Sequence, residues 1–148
     1  MIALAGEAAA LAFGARLAAV LRPGDAVTLS GPLGAGKTTI ARGLLAALGL
    51  AGEAPSPSYA IVQSYAPPEV RLPVLHVDLY RIDEEGELLE LGLDDARYDG
   101  ALVVEWPERV GAHVFPDALR LTLIVAADGG RRLTAEVPVG WEGRWPLT

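Results

Sequence analysis

Residues 31–38 read Gly-Pro-Leu-Gly-Ala-Gly-Lys-Thr and fit the pattern G-x-x-x-x-G-K-[ST]. Gly31, Gly34 and Gly36 admit backbone conformations closed to side chains and let the chain run close to a phosphate. The N–H groups of Ala35 and its neighbours can then turn inward at a helix start as an anion-binding nest. Lys37 offers a compact ammonium to terminal phosphates and Thr38 a hydroxyl to Mg2+, with Thr39 beside it as a further phosphate-binding candidate. Lys37 is the only lysine among twelve basic residues. The pattern calls for a nucleoside triphosphate. A guanine-reading N-K-x-D signature needs asparagine, which the chain lacks, so ATP is the expected nucleotide.

Such a loop also needs a carboxylate at a strand end to hold Mg2+ and a group to orient the attacking nucleophile. Asp78 in VLHVDLYR and Glu105 in ALVVEW both stand where apolar runs finish, at the C-terminal strand ends where ligands collect in parallel α/β sheets. His76 shares a strand face with Asp78 and reads as a packed, hydrogen-bonded residue. Trp106 is balanced between core and contact surface. His113 carries no signal. Ser56 and Ser58, set between prolines, have no base nearby in sequence and suit phosphate sensing better than nucleophilic attack.

The elements that must position these residues follow from the apolar pattern. Ala10, Leu11, Gly14, Leu17, Ala18 and Leu21 recur at helical spacing until Pro23-Gly24. Residues 26–30 read as a buried strand, and a second helix begins at Thr38, buries Ile40, Ala41, Leu44, Leu45 and Leu48, and stops at Gly49. Residues 59–65, 72–78 and 101–105 read as strands, and residues 88–92 as a short acidic helical segment. The tail alternates around Asp128-Gly129-Gly130 as a hairpin. The expected architecture is a single domain over residues 1–148. It is a three-layer α/β fold of the phosphate-loop NTPase type, with a central, mostly parallel sheet and an antiparallel C-terminal hairpin.

Composition narrows the function further. The 148 residues contain no cysteine, which removes disulfides, thiolate nucleophiles and Cys-ligated metals. The net charge of −7 has the wrong sign for an unaided binder of nucleic acid or anionic membrane. Residues 78–108 hold eleven acids and two arginines, net −9. The opening apolar stretch is broken by Glu7 and Arg16 and lacks the basic start of a signal peptide. A soluble, cytoplasmic protein is expected.

The order GPLGAGKTT, SPSYAIVQSY, HVDLYRID with ELLELGLDD, then LVVEWPERV, resembles the TsaE (formerly YjeE) family, the ATPase component of bacterial threonylcarbamoyladenosine (t6A) synthesis in tRNA. The resemblance covers residues 26–109. It implies that Lys37 and Thr38 bind phosphates and Mg2+, that residues 56–59 form a loop sensing the γ-phosphate, and that Asp78 and Glu105 are essential acids. Glu105 is assigned to the metal and Asp78 to the attacking water, two roles that can be exchanged at this level. Tyr80, Arg81 and Trp106 match positions that relay nucleotide state. The family's usual S-P-T is here S-P-S, which keeps the hydroxyl at Ser58 and loses a methyl. The resemblance further implies docking on a TsaB–TsaD pair that carries out the adenosine chemistry, with tRNA met only through that complex. An acidic flank suits a protein-docked ATPase. The alternatives are a small-molecule kinase, which needs an acceptor pocket and an arginine-bearing lid, and a nucleotide-binding regulatory module without turnover.

Overall fold

The computed structural model describes residues 1–52, 54–55 and 62–147. Its strands are β1 (Ile2–Leu4), β2 (Ala26–Ser30), β3 (Val62–Tyr65), β4 (Val74–Asp78), β5 (Ala101–Glu105), β6 (Leu119–Val125) and β7 (Arg131–Glu136). They form one sheet in the order β1-β7-β6-β2-β5-β4-β3. The central four, β6-β2-β5-β4, run parallel, while β7, β1 and β3 pair antiparallel at the margins.

The C-terminal hairpin forms as the alternation predicts, with a division of labour. β6 lies parallel to β2 inside the sheet, and only β7 reverses direction. β1 escapes the sequence pattern, because three residues are too few to show a period. Its strand character comes from pairing Ile2 with Leu133 and Leu4 with Arg131. The expected strand over 72–78 starts later, at Val74, just after Pro73, which lacks the N–H a ladder needs. Of the expected strand over 59–65, residues 62–65 are strand and 59–61 lie outside the described residues.

Helices α1 (Glu7–Val20) and α2 (Lys37–Ala47) cover one face of the sheet. Phe13, Leu17, Ile40, Leu44 and Leu45 pack there against Val27, Leu29, Leu119 and Leu121, all essentially inaccessible to solvent. The two helices meet backbone to backbone. A Cβ at Gly14 would stand 2.1 Å from the Ile40 carbonyl oxygen, and one at Gly43 would stand 2.2 Å from that of Leu11. Helix α2 ends where expected, with Gly49 at φ 118° just beyond it.

The opposite face is covered by shorter pieces. A 3-10 segment (Glu85–Leu91), helix α3 (Leu93–Ala96) and the 3-10 turns Pro107–Arg109 and Ala112–Val114 lie between β4 and β6 in the chain. Leu88, Leu93 and Phe115 join Val77, Leu102 and Val104 in a second, smaller core. The acidic helical segment expected at 88–92 is thus a 3-10 turn that passes through Gly92 (φ 68°) into α3. Over β6 this face is open, and Thr122 and Ile124 are exposed. No helix among the described residues is long and apolar enough to cross a membrane.

Candidate active site

The loop between β2 and α2 leaves the C-terminal edge of the parallel strands, beside the ends of β4 and β5. Gly31, Gly34 and Gly36 all take positive φ, at 141°, 77° and 110°. At Gly31 the requirement is doubled, since a Cβ there would meet the Leu123 carbonyl oxygen at 2.6 Å. Gly36 caps α2, so the helix's unpaired N–H groups begin at Lys37 and Thr38.

Strand register brings the acids in from the other side. Asp78 and Glu105 are directly paired across β4 and β5 and are 4% and 2% exposed. Two carboxylates opposite one another repel, and a site that holds them together is built to receive positive charge. The Thr38 hydroxyl donates to Glu105 Oε1 at 2.8 Å, joining the loop to the strand end. Asp78 Oδ1 accepts the Tyr80 N–H at 2.8 Å, which fixes the carboxylate at the turn after β4. His76, fully buried, meets Glu105 Oε2 through Nε2 at 2.6 Å.

Lys37 folds back over its own loop. Its ammonium donates to the Gly31 carbonyl and, at 3.1 Å, to that of Pro32. It also lies 3.9 Å from the centroid of the Trp106 ring, a cation–π contact of about 1 kcal/mol. Burial pushes the ammonium below the ordinary lysine value, outweighing the attraction of Glu105, Glu108 and Asp78. Trp106 reaches this position because it takes a left-handed conformation, φ 60°, immediately after β5, which costs on the order of 1–3 kcal/mol for a non-glycine residue. Its ring touches Tyr80 at 4.9 Å between centroids, and the Arg109 guanidinium stands 4.6 Å from the centroid of the Tyr80 ring.

Gly34, Lys37, Thr38, Asp78, Glu105 and Trp106 share the lining of a cavity of about 210 Å³. A second cavity of about 310 Å³ opens on the other side of the loop, using Gly34, Ala35, Gly36 and Thr39 from it and Glu7 and Arg131 from elsewhere. Arg131 donates to the Gly34 carbonyl at 3.1 Å and thereby ties the hairpin tip to the loop.

Of the residues singled out from sequence, the loop, Asp78, Glu105 and Trp106 converge on one cavity. Ser56 and Ser58 lie outside the described residues. Asp83, Glu84, Glu85, Glu90, Asp94, Asp95 and Asp99 are exposed, and His113 sits at the surface against Glu85. Sequence reading missed two contacts. The hairpin arginine that reaches Gly34 has no spacing signature, and the His76–Glu105 pair joins residues 29 positions apart. The donor set of hydroxyl and carboxylate oxygens fits a hard divalent cation such as Mg2+, and the glycine nest with Lys37 fits a polyphosphate.

A family description, threonylcarbamoyl adenosine biosynthesis protein TsaE, matches residues 4–133. The tRNA threonylcarbamoyladenosine biosynthesis protein TsaE of Streptomyces coelicolor is 41% identical over 137 residues, covering 89% of this chain and 90% of its own. The protein of the same name from Bacillus subtilis is 36% identical over 118 residues, 79% of this chain and 72% of its own. The crystal structure of Bacillus subtilis YdiB superposes with a TM-score of 0.70 at 29% identity, covering 90% of this chain and 82% of that one.

Proposed function

The chain belongs to the TsaE family of tRNA threonylcarbamoyladenosine biosynthesis, and on that premise we propose that it is a Mg2+-dependent ATPase that works docked on a TsaB–TsaD pair in the cytoplasm. The observation that carries this reading is the 2.8 Å bond between the Thr38 hydroxyl and Glu105. It joins the phosphate-loop hydroxyl to a strand-end carboxylate, the two protein oxygens a phosphate-bound Mg2+ requires.

In this reading the loop N–H groups and Lys37 cradle the phosphates, and Thr38 and Glu105 hold the metal. Mg2+ supplies charge neutralisation on the phosphate oxygens when bound. Asp78 lies opposite Glu105 on the next strand and is held by the Tyr80 N–H, which suits it to orient the attacking water. The nucleoside end of ATP enters the second cavity, between Glu7 and Arg131. Tyr80 is 40% exposed beside the mouth of the site. With Trp106 and Arg109 it offers a surface on which a docked partner senses the nucleotide. The net −9 of residues 78–108 favours a protein partner with basic groups over direct contact with tRNA phosphates.

The test is steady-state ATP hydrolysis by the protein alone and with TsaB–TsaD, with Lys37→Ala as the control. Slow turnover alone, a large rise with the pair and loss in the control are expected. Nucleotide binding without stimulation by the pair would overturn the partner-docked mechanism and redirect the search to a phosphoryl acceptor.

A further inference from the structure

His76 stands outside the chemistry assigned so far. It lies on β4, two residues before Asp78, and pairs in register with Val103 of β5. Glu105 is therefore its diagonal neighbour on the same sheet face, within reach of a long side chain. His76 is completely buried and does not line the cavity, so it touches neither substrate nor water there. Its side chain's one polar contact among the described residues is the 2.6 Å approach of Nε2 to Glu105 Oε2. Nδ1 has no hydrogen-bond partner among the described residues.

Those facts select a tautomer. A proton on Nδ1 would bury an unmatched N–H and point a bare Nε2 at the carboxylate. Orphaned N–H donors are rarer in proteins than under-used acceptors. The proton therefore belongs on Nε2, donated to Glu105. Glu105 then receives two donors, His76 at Oε2 and Thr38 at Oε1. The first is locked into the sheet, whereas the second stands in the first turn of α2, beside the loop that must accommodate ligand.

We propose that His76 is a positioning residue for the metal carboxylate: its Nε2–H pins the inner oxygen of Glu105, so that Oε1 stays aimed at Thr38 and at the cation these two residues share. The proposal rests on the reading of Glu105 as the metal carboxylate. Side chains that hold a metal ligand in this way typically alter metal affinity 10–100-fold when removed.

The experiment uses Mn2+ with ADP as the probe, read by the paramagnetic signal of free Mn2+, and separately ADP affinity in chelator. His76→Leu fills the space without a donor. It is expected to weaken Mn2+ binding to the ADP complex by about 10–100-fold and to leave metal-free ADP affinity within about twofold. His76→Gln, whose amide nitrogen reaches about as far as Nε2, should recover most of the loss. Unchanged Mn2+ affinity in His76→Leu, an equal loss of metal-free ADP binding, or no recovery in His76→Gln would each overturn the proposal. Should His76→Leu fail to fold, the nitrogen-15 ring spectrum of the unaltered protein decides, and with only two histidines it is readily assigned. Protonated Nε2 and bare Nδ1 are expected, and the reverse overturns the proposal. If the unaltered protein binds neither ADP nor Mn2+, the ATPase reading itself fails, while the ring spectrum still reports on the His76–Glu105 bond.

Discussion

On one face of the sheet, α1 and α2 lie so close that glycines at positions 14 and 43 touch the opposite backbone. On the other, a run of 3-10 turns and a four-residue helix carries most of the chain's acidic excess over a smaller core. The glycine-rich loop opens directly into α2, so the tightly packed face fixes the helix start whose N–H groups, on the proposed reading, meet a phosphate. The irregular face supplies the segments that follow Asp78 and Glu105, including Tyr80, Trp106 and Arg109. On the proposed reading, the contrast teaches that precision and recognition are housed separately. Groups needing sub-ångström placement sit on a regular, close-packed scaffold, and groups that can report to a partner sit on loops.

The largest difference expected between the two faces is that between Gly43 and Gly86. In an open helix Gly→Ala gains up to about 1 kcal/mol from propensity. Here the added Cβ would press on the Leu11 carbonyl, and Gly43→Ala is expected to lose about 3 kcal/mol or more in urea unfolding. Gly86→Ala, on the other face with nothing within 4 Å of its Cβ, should stay within about 0.5 kcal/mol of the parent. Equal effects would break the comparison.

A smaller difference separates two leucines. Leu44 packs between α1 and the sheet at 1% exposure, and Leu93, the first residue of α3, packs into the smaller core at 6%. Leu44→Ala should cost about 4 kcal/mol, near the upper end for such changes, because the close-packed helices cannot collapse into the cavity. Leu93→Ala should cost about 2 kcal/mol, since a short turn can settle inward. The same denaturation series reads both.

Next comes pH. Burial holds Lys37 below the ordinary lysine value in the free protein, and a bound polyphosphate favours the ammonium and raises it again. Binding therefore takes up a proton in the interval between the two values. ADP affinity falls as pH rises across that interval, by up to about tenfold per pH unit. Lys37→Ala should bind weakly and without this alkaline decline. A parallel decline in the variant would assign it to another group.

The smallest effect belongs to the irregular face. The hydrogen bond from Arg97 holds the Asp117 carboxyl below the usual aspartate range. Its stabilisation is present above the unfolded value and is lost as pH falls through the folded one. Asp117 is 62% exposed, and solvent screening leaves a few tenths of a kcal/mol. Asp117→Asn should flatten the acid limb of the stability curve by about that amount, and a larger change would show that charge contributes more to this face than its exposure implies.

Much of this arrangement was legible in the chain. Thr38 onward shows a clear helical period because one face of α2 is wholly buried, and residues 101–105 read as strand because β5 is buried on both faces. The 3-10 turn at Glu85–Leu91 was legible only as an acidic helical segment, since its few apolar residues fit several short periods. β1 was not legible, because its strand character lies in β7 rather than in its own three residues.

The sequence by itself determined the phosphate loop, the helix behind it and the two acids, because each is a local matter. Glycine freedom, helical spacing and the end of an apolar run are all written within a few neighbouring residues. Only the tertiary structure decided that Asp78 and Glu105 stand opposite one another, that Thr38 and not Thr39 takes Glu105, that Trp106 covers Lys37, and that His76 meets a carboxylate 29 residues away. Those contacts depend on strand order and register, which are set by the joint burial of both sheet faces and which no single stretch of chain can specify.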